Sequence, residues 1–298
     1  MHLYLAVPRG FCAGVVRAIE IVNKALEIYG SPIYVKHQIV HNKYVVSDLE
    51  NKGAITVDNI EDVPNGSTVI FSAHGSPPSD YELAKSKNVK IIDATCPLVT
   101  KVHNEALKYS KEGRKIILIG HRDHQEVIGT MGQADMILID DREKNNIPKL
   151  NKSESLAVLS QTTLSIDDTK SISNKLKKKF KNSIIRNDIC YAVTNRQNAV
   201  KNLTKFVEII FVVGSETSSN CVRLKEMSES YGTPSVLVNS VEEIKDMDLN
   251  KYTKIGITSG ASTPEVLIDE FISYIQPSKI DTVGESEKDI NFVLPDEV

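Results

Sequence analysis

The 298-residue chain has four cysteines, and no two of them stand in a C-x-x-C spacing. Zinc ribbons and thioredoxin-type redox motifs therefore have no foothold. The formal charge of −3 leaves no single-sign field to draw a nucleic acid. No uninterrupted apolar run exceeds about five residues, and MHLYLAVPRG lacks a basic stretch leading into a long apolar core. Neither a membrane span nor a secretory leader is expected, and the chain reads as a soluble cytoplasmic protein. Neither G-x-x-x-x-G-K-[ST] nor G-x-G-x-x-G occurs, so ATP and dinucleotide cofactors have no support. Electrons for any redox step would come from an external donor.

What is present is a globular composition, 41% hydrophobic and 25% charged, over a length that suggests two or three units. An internal repeat organises it. Cys12, Cys96 and Cys190 each follow an extended run (LYLAVPRGFC, VKIIDATC, SIIRNDIC) and open a segment of helical period. The helix after Cys12 places Val15, Ala18, Ile19, Val22, Ala25 and Leu26 on one face. Val99, Val102, Ala106 and Leu107 do so after Cys96, and Val193, Ala199, Val200 and Leu203 after Cys190. Strands are expected at 3–7, 33–35, 54–57, 68–72, 115–119, 136–139, 156–160, 209–213, 235–238 and 254–258. The third repeat lacks a final strand into a cysteine, while the chain begins with one, so the series closes on itself. The expected fold is α/β, three pseudo-symmetric units in a cyclic arrangement. Units of 13–96, 97–189 and 190–280 plus 1–12 are followed by a C-terminal strap, 281–298, whose alternation around Ile290, Phe292 and Leu294 is consistent with a terminal strand or strap.

Polar residues recur beside the cysteines. His41, His124 and Ser219 lie 28 or 29 residues after Cys12, Cys96 and Cys190, near a turn into a helix, and His74, Thr162 and Ser262 lie at later strand ends. Ligands of such folds gather at the carboxyl ends of strands, which predicts three thiols facing one centre. Grouped thiolates repel unless a cation holds them. Zinc would ask for a fourth Cys or His, whereas an iron–sulfur cluster on three cysteines leaves one iron without a protein thiolate. Cys221, inside the first turn of a helix and off the repeat position, is read as structural. Glu126 in GHRDHQEVIGTMGQ is the candidate general acid. His41, His74, His124, Ser218, Ser219, Asn220 and Ser262 offer donors near helix starts, suited to a compact phosphate or diphosphate.

PRGFCAGV, SAHG, DATCPLV, GHRDHQEVIGTMGQ, SQTTLS, ICYAVTNRQ, SSN and GAS resemble, in order, the motifs of the 4-hydroxy-3-methylbut-2-enyl diphosphate reductases, the LytB/IspH family. The resemblance spans residues 5 to 265. It implies the last reaction of the non-mevalonate isoprenoid pathway, a reductive dehydroxylation giving isopentenyl and dimethylallyl diphosphates. It implies a cyclic trefoil of the three α/β units around a central iron–sulfur site, a [4Fe-4S] cluster with one open iron, ligated by Cys12, Cys96 and Cys190. Glu126 becomes the proton source, with Thr162 near the substrate hydroxyl and Gln161 beside it, and the seven polar residues above become the diphosphate clamp with Thr162. SSNC differs from the family's usual SSNS by Cys221.

Lysines from Lys175 to Lys181 are read as a solvated helix face, with docking of an acidic ferredoxin or flavodoxin as the alternative. Two other classes stay open on the residues alone. A zinc-dependent hydrolase would use His121, His124 and Glu126, and an iron–sulfur redox sensor or carrier would close its site with Cys221.

Overall fold

The computed structural model describes residues 1–143 and 147–298. In chain order the strands are β1 His2–Val7, β2 Ile33–Lys36, β3 Ala54–Val57, β4 Thr68–Phe71, β5 Lys90–Asp93, β6 Lys115–Ile119, β7 Met136–Ile139, β8 Leu156–Ser160, β9 Ser183–Ile185, β10 Ile209–Val213, β11 Ser235–Val238, β12 Lys254–Ser259 and β13 Lys279–Gly284. The helices are α1 Ala13–Tyr29, α2 Lys43–Asn51, α3 Pro78–Ser86, α4 Pro97–Lys111, α5 Gln125–Met131, α6 Ile166–Lys179, α7 Tyr191–Leu203, α8 Ser219–Ser230 and α9 Glu265–Ile275.

The strands form three wholly parallel sheets among the described residues, so the α/β class is as expected. Their orders are β3-β2-β4-β5, β7-β6-β8-β9 and β11-β10-β12-β1-β13. One plan runs through all three. The fourth place is held by β5, β9 and β1, the strands that lead into Cys96, Cys190 and Cys12. The N-terminal strand thus completes the sheet that the third repeat leaves short.

Parallel strands covered on both faces are apolar throughout, and period-two alternation divides each between two layers. In β10, Ile209, Phe211 and Val213 join a core with Leu3, Leu5, Ile255 and Ile257. Ile210 and Val212 face the other way, onto Val200, Leu203 and Leu224. In β6, Ile116 and Leu118 pack with Val102 and Ala106, whereas Ile117 and Ile119 pack with Leu164, Leu176 and Phe180.

The chain divides into two compact units: Met1–Val15, His41–Val45 and Tyr191–Asn291 form the first, and Val16–Val40, Val46–Cys190 and Phe292–Val298 the second. The five-stranded sheet belongs to the first and the two four-stranded sheets to the second.

Three expectations are corrected. In α1 the fully buried side chains include Ile21, while Ile19 and Leu26 are half-buried. In α4, Leu107 is exposed, and His103 and Tyr109 are the buried partners of Val99, Val102 and Ala106. The alternation at Ile290, Phe292 and Leu294 forms no strand. The terminal strand is β13, because the pairing edge of β1 is met by Lys279–Gly284 and the chain beyond has none.

Candidate functional site

Each repeat cysteine sits between the last strand of its sheet plan and the helix that follows, and its backbone is held in the same way. Cys96 N–H donates to Ala73 O (3.0 Å), Cys190 N–H to Thr162 O (2.9 Å) and Cys12 N–H to Ala261 O (3.1 Å). In every case the acceptor lies two residues past the neighbouring strand, β4, β8 or β12. The three cysteine turns are therefore structurally equivalent, and all three cysteines are half-buried and outside any disulfide, whereas Cys221 is fully buried. Pro97 occupies the first helical position after Cys96, where a missing N–H costs nothing. Gly10 adopts φ +73°, a left-handed conformation that a side chain would strain, and its N–H donates to Ser259 Oγ (2.8 Å).

In the second unit, Glu126 lies in the first turn of α5, 3% exposed. Its N–H donates to Nδ1 of His124, the helix cap (3.2 Å), so that nitrogen carries no proton. Both carboxyl oxygens are held by Thr162: its N–H donates to Oε1 (2.6 Å) and its hydroxyl to Oε2 (3.0 Å). Burial lifts the Glu126 pKa to about 7 against the opposing pull of these two hydrogen bonds, with Asp188 adding to the rise. A carboxyl group that keeps its proton near neutrality is a usable acid.

His74 and His124 meet edge to face, ring centroids 5.9 Å apart at 82°, and His74 Nδ1 lies 3.3 Å from Ser72 Oγ. Gly75 follows at φ +79° with the His103 ring against it, 2.7 Å from where a Cβ would stand. Burial pushes the His103 pKa down to about 4, so this imidazole is a neutral support. The Gln161 carbonyl accepts from His121 N–H (3.0 Å) and its amide donates to Thr163 (2.8 Å). It ties the GHRDH turn to the SQTT turn.

In the first unit, Ser262 Oγ donates to His41 O (3.1 Å). Ser218 caps α8 by accepting from Cys221 N–H (3.4 Å), and Ser219 and Asn220 form the buried first turn. The Asn220 amide nitrogen and oxygen are both buried without a hydrogen-bond partner among the described residues. Such a group costs stability unless something polar meets it, which marks the α8 start as a place for a polar ligand.

The sequence equivalences hold to within one residue. His124 is a helix cap, His41 precedes the capping Asn42, and Ser219 follows the capping Ser218. Thr162 matches Ala73 and Ala261 as the cysteine's acceptor, so His74 and Ser262 correspond to Thr163.

His121, His124 and Glu126 do not form a metal-ligating group. Among the described residues, the trio that gathers within 4.8 Å is His121, Asp140 and Asp141. There His121 pairs with Asp141 (3.0 Å), and Arg142 holds the Asp140 carboxyl well below the usual range.

Two residues escaped sequence reasoning. Asp188, 5% exposed, accepts from Ser160 N–H (3.2 Å) and faces Lys101 Nζ (3.4 Å). Burial raises its pKa, and Glu105 adds to the rise. Arg196 is fully buried. Its signal was a charge on the apolar α7 stripe of Val193, Val200 and Leu203, since a charge on a buried face needs built-in partners.

A family model described as LytB protein matches residues 3–276. The chain is 47% identical over 308 aligned residues to the 4-hydroxy-3-methylbut-2-enyl diphosphate reductase of Glaesserella parasuis serovar 5 (strain SH0165), covering 100% of this chain and 98% of the relative. It is 46% identical to that of Azotobacter vinelandii, with the same coverage. The solved E-1-hydroxy-2-methyl-but-2-enyl-4-diphosphate reductase from Plasmodium falciparum superposes with a TM-score of 0.94 at 41% identity, covering 99% of this chain and 96% of that one. A second solved structure, described as (E)-4-hydroxy-3-methyl-but-2-enyl diphosphate reductase, the terminal enzyme of the non-mevalonate pathway, gives 0.67 at 31%, covering 92% and 99%.

Proposed function

The chain belongs to the LytB family, and from that membership we infer that it is an iron–sulfur oxidoreductase acting on (E)-4-hydroxy-3-methylbut-2-enyl diphosphate. The alcohol takes up two electrons and two protons and gives isopentenyl or dimethylallyl diphosphate and water, the terminal step of the non-mevalonate pathway. A stand-alone redox carrier and a zinc hydrolase are set aside by the same membership.

The finer assignments are our proposal. Cys12, Cys96 and Cys190 hold a [4Fe-4S] cluster with one iron free of protein thiolate. The donor set suits it: three equivalent, half-buried turn thiols, distinct from the nitrogen-and-oxygen trio at His121. When bound, that group supplies single electrons and Lewis acidity. Glu126 holds the proton for the departing hydroxyl at Oε1 or Oε2, and Thr162 orients the carboxyl. The second proton reaches either end of the allyl group, with the substrate's own diphosphate as its source. His41, His74, His124, Ser218, Ser219, Asn220 and Ser262, with Thr162, bind and orient the diphosphate, a role supported by the orphaned Asn220 amide. A ferredoxin- or flavodoxin-type protein delivers the electrons in the cytoplasm. The lysines closing α6 stay a solvated face that complements the helix dipole. Units 13–96, 97–189 and 190–280 with 1–12 are the proposed ground plan, supported by the equivalent cysteine turns.

One observation carries the reading. Thr162 grips Glu126 with its N–H and hydroxyl and accepts Cys190 N–H on its carbonyl, so acid and cysteine turn share one residue. Anaerobic purification with iron, sulfide and product assays tests it. About four irons and four sulfides per chain with reductase activity are expected, and stoichiometric zinc without sulfide would reject it.

A further inference from the structure

Three cations occupy matching places on the three helices that follow the repeat cysteines: Arg17 five residues after Cys12, Lys101 five after Cys96, and Arg196 six after Cys190. Each reaches the turn of another cysteine, and Arg196 in addition donates to Ala192 O of its own helix (2.9 Å). Arg17 donates to Thr95 O (3.2 Å), the residue before Cys96. Lys101 meets Asp188 (3.4 Å), two residues before Cys190. Arg196 donates to Gly10 O (2.8 Å), two residues before Cys12. The order is cyclic, helix of the first cysteine to turn of the second, second to third, and third to first.

We propose that Arg17, Lys101 and Arg196 are positioning residues for the three cysteine turns, each cation on the helix opened by one cysteine gripping the turn of another. The C-terminal segment takes part by fixing two of them. Val293 O accepts from Arg17 Nε (2.8 Å), while Glu287 Oε1 accepts from Arg196 (3.0 Å) and from Asn195 (3.1 Å). An arginine fork serves two acceptors at once, which a lysine cannot do with the same geometry. The grip should be graded by burial. Arg196 is fully buried with its charge balanced by Glu287, and removing one partner of a buried pair is costly. Lys101 is 46% exposed, and exposed pairs contribute little. This rests on the proposal that these cysteines hold the cluster.

The test uses the cluster-free full-length chain and iodoacetamide, with alkylation of each cysteine followed by peptide mass spectrometry. Arg196→Met should raise the Cys12 rate about tenfold, equivalent to about 1.4 kcal/mol of local opening, and leave Cys190 unchanged. Arg17→Met should do the same to Cys96 and leave Cys12 unchanged. Lys101→Met should change Cys190 less than threefold. Buried Cys221 monitors the fold and should stay unreactive. If Arg196→Met exposes Cys221, the milder Glu287→Gln decides, with Cys12 expected to respond alone. Effects confined to the cysteine of the mutated helix, or spread equally over all four, overturn the proposal. In the iron-loaded protein, Arg196→Met should speed iron loss to a chelator, and an unchanged rate also overturns it. Iron content of Cys12→Ser, measured in parallel, reports on the ligand assignment separately: full iron there would sink the cluster reading while the crossed alkylation pattern still stood or fell by itself.

Discussion

Thr162 holds both oxygens of Glu126, one through its backbone N–H at 2.6 Å and one through its hydroxyl at 3.0 Å. Two donors favour the ionised carboxylate, and burial favours the neutral acid. Burial wins, leaving a pKa of about 7. The site thus keeps an acid half-protonated at neutral pH in a fixed orientation, which general-acid catalysis needs.

Glu126→Gln keeps size and hydrogen-bonding capacity but removes the transferable proton. Turnover should fall about 10²- to 10⁴-fold, while iron content and substrate affinity stay within about twofold. Single-turnover product yield, iron assay and anaerobic calorimetry measure the three, and near-normal turnover rejects the acid role.

Activity that needs protonated Glu126 should decline as pH rises through about 7. Thr162→Val keeps the backbone donor and loses the hydroxyl, a group that lowers the Glu126 pKa. The declining limb of kcat against pH should therefore move to higher pH in this variant. A limb that moves down, or stays, contradicts the assignment.

The same carboxyl makes stability depend on pH. Its folded pKa of about 7 exceeds the ordinary 4.5, so between those values the folded state binds more protons than the unfolded. Its contribution is fully present below about pH 4.5 and is lost as pH rises through about 7, a difference of about 3 kcal/mol from the two values. Thermal melts of the wild type minus those of Glu126→Gln, taken across that range, should show this decline and then a plateau.

His41→Ala should weaken substrate binding about tenfold or more, the scale of a lost hydrogen bond to a charged group, with iron content unchanged. Anaerobic titration with substrate reads it. Unaltered affinity removes His41 from the diphosphate clamp.

Cys221 fills the space that the glycines at 214 and 260 leave open: a Cβ on Gly260 would stand 2.2 Å from its sulfur. Burial pushes its thiol pKa up, so it packs as a neutral group. Cys221→Ser should retain all iron and lose no more than about 1–2 kcal/mol of stability, the range for burying one hydroxyl that still finds a partner. Loss of the cluster would return Cys221 to the ligand set.

The short strands were legible because parallel sheets covered on both faces demand uninterrupted Val, Ile and Leu, and runs such as Ile209–Val213 supply them. The closure of the third sheet by β1 was legible too, since one repeat lacked a strand and the N-terminus had one to offer. Recurring order along the chain likewise singled out Cys12, Cys96 and Cys190 from Cys221. Helix faces were read less well. His103 and Tyr109, rather than Leu107, face the core in α4, because an imidazole deprotonated by burial packs as an apolar group. Of the two readings of the last residues, strand or strap, the strand fails, because alternation reports a face, whereas pairing depends on which segment reaches the open edge of β1.

Three-dimensional contact decided what separation along the chain conceals. Asp188, Arg196 and the shared role of Thr162 come from partners 28 to 186 residues away, and no local pattern encodes such pairings. The pKa of Glu126 was equally invisible, because it is set by how much water the folded surroundings remove from the carboxyl group. Residue order determined the sheets, the cysteine turns and the kinds of chemistry available. Folding decided which groups lost water and which met, and those two outcomes set the strength and direction of every electrostatic effect at the site.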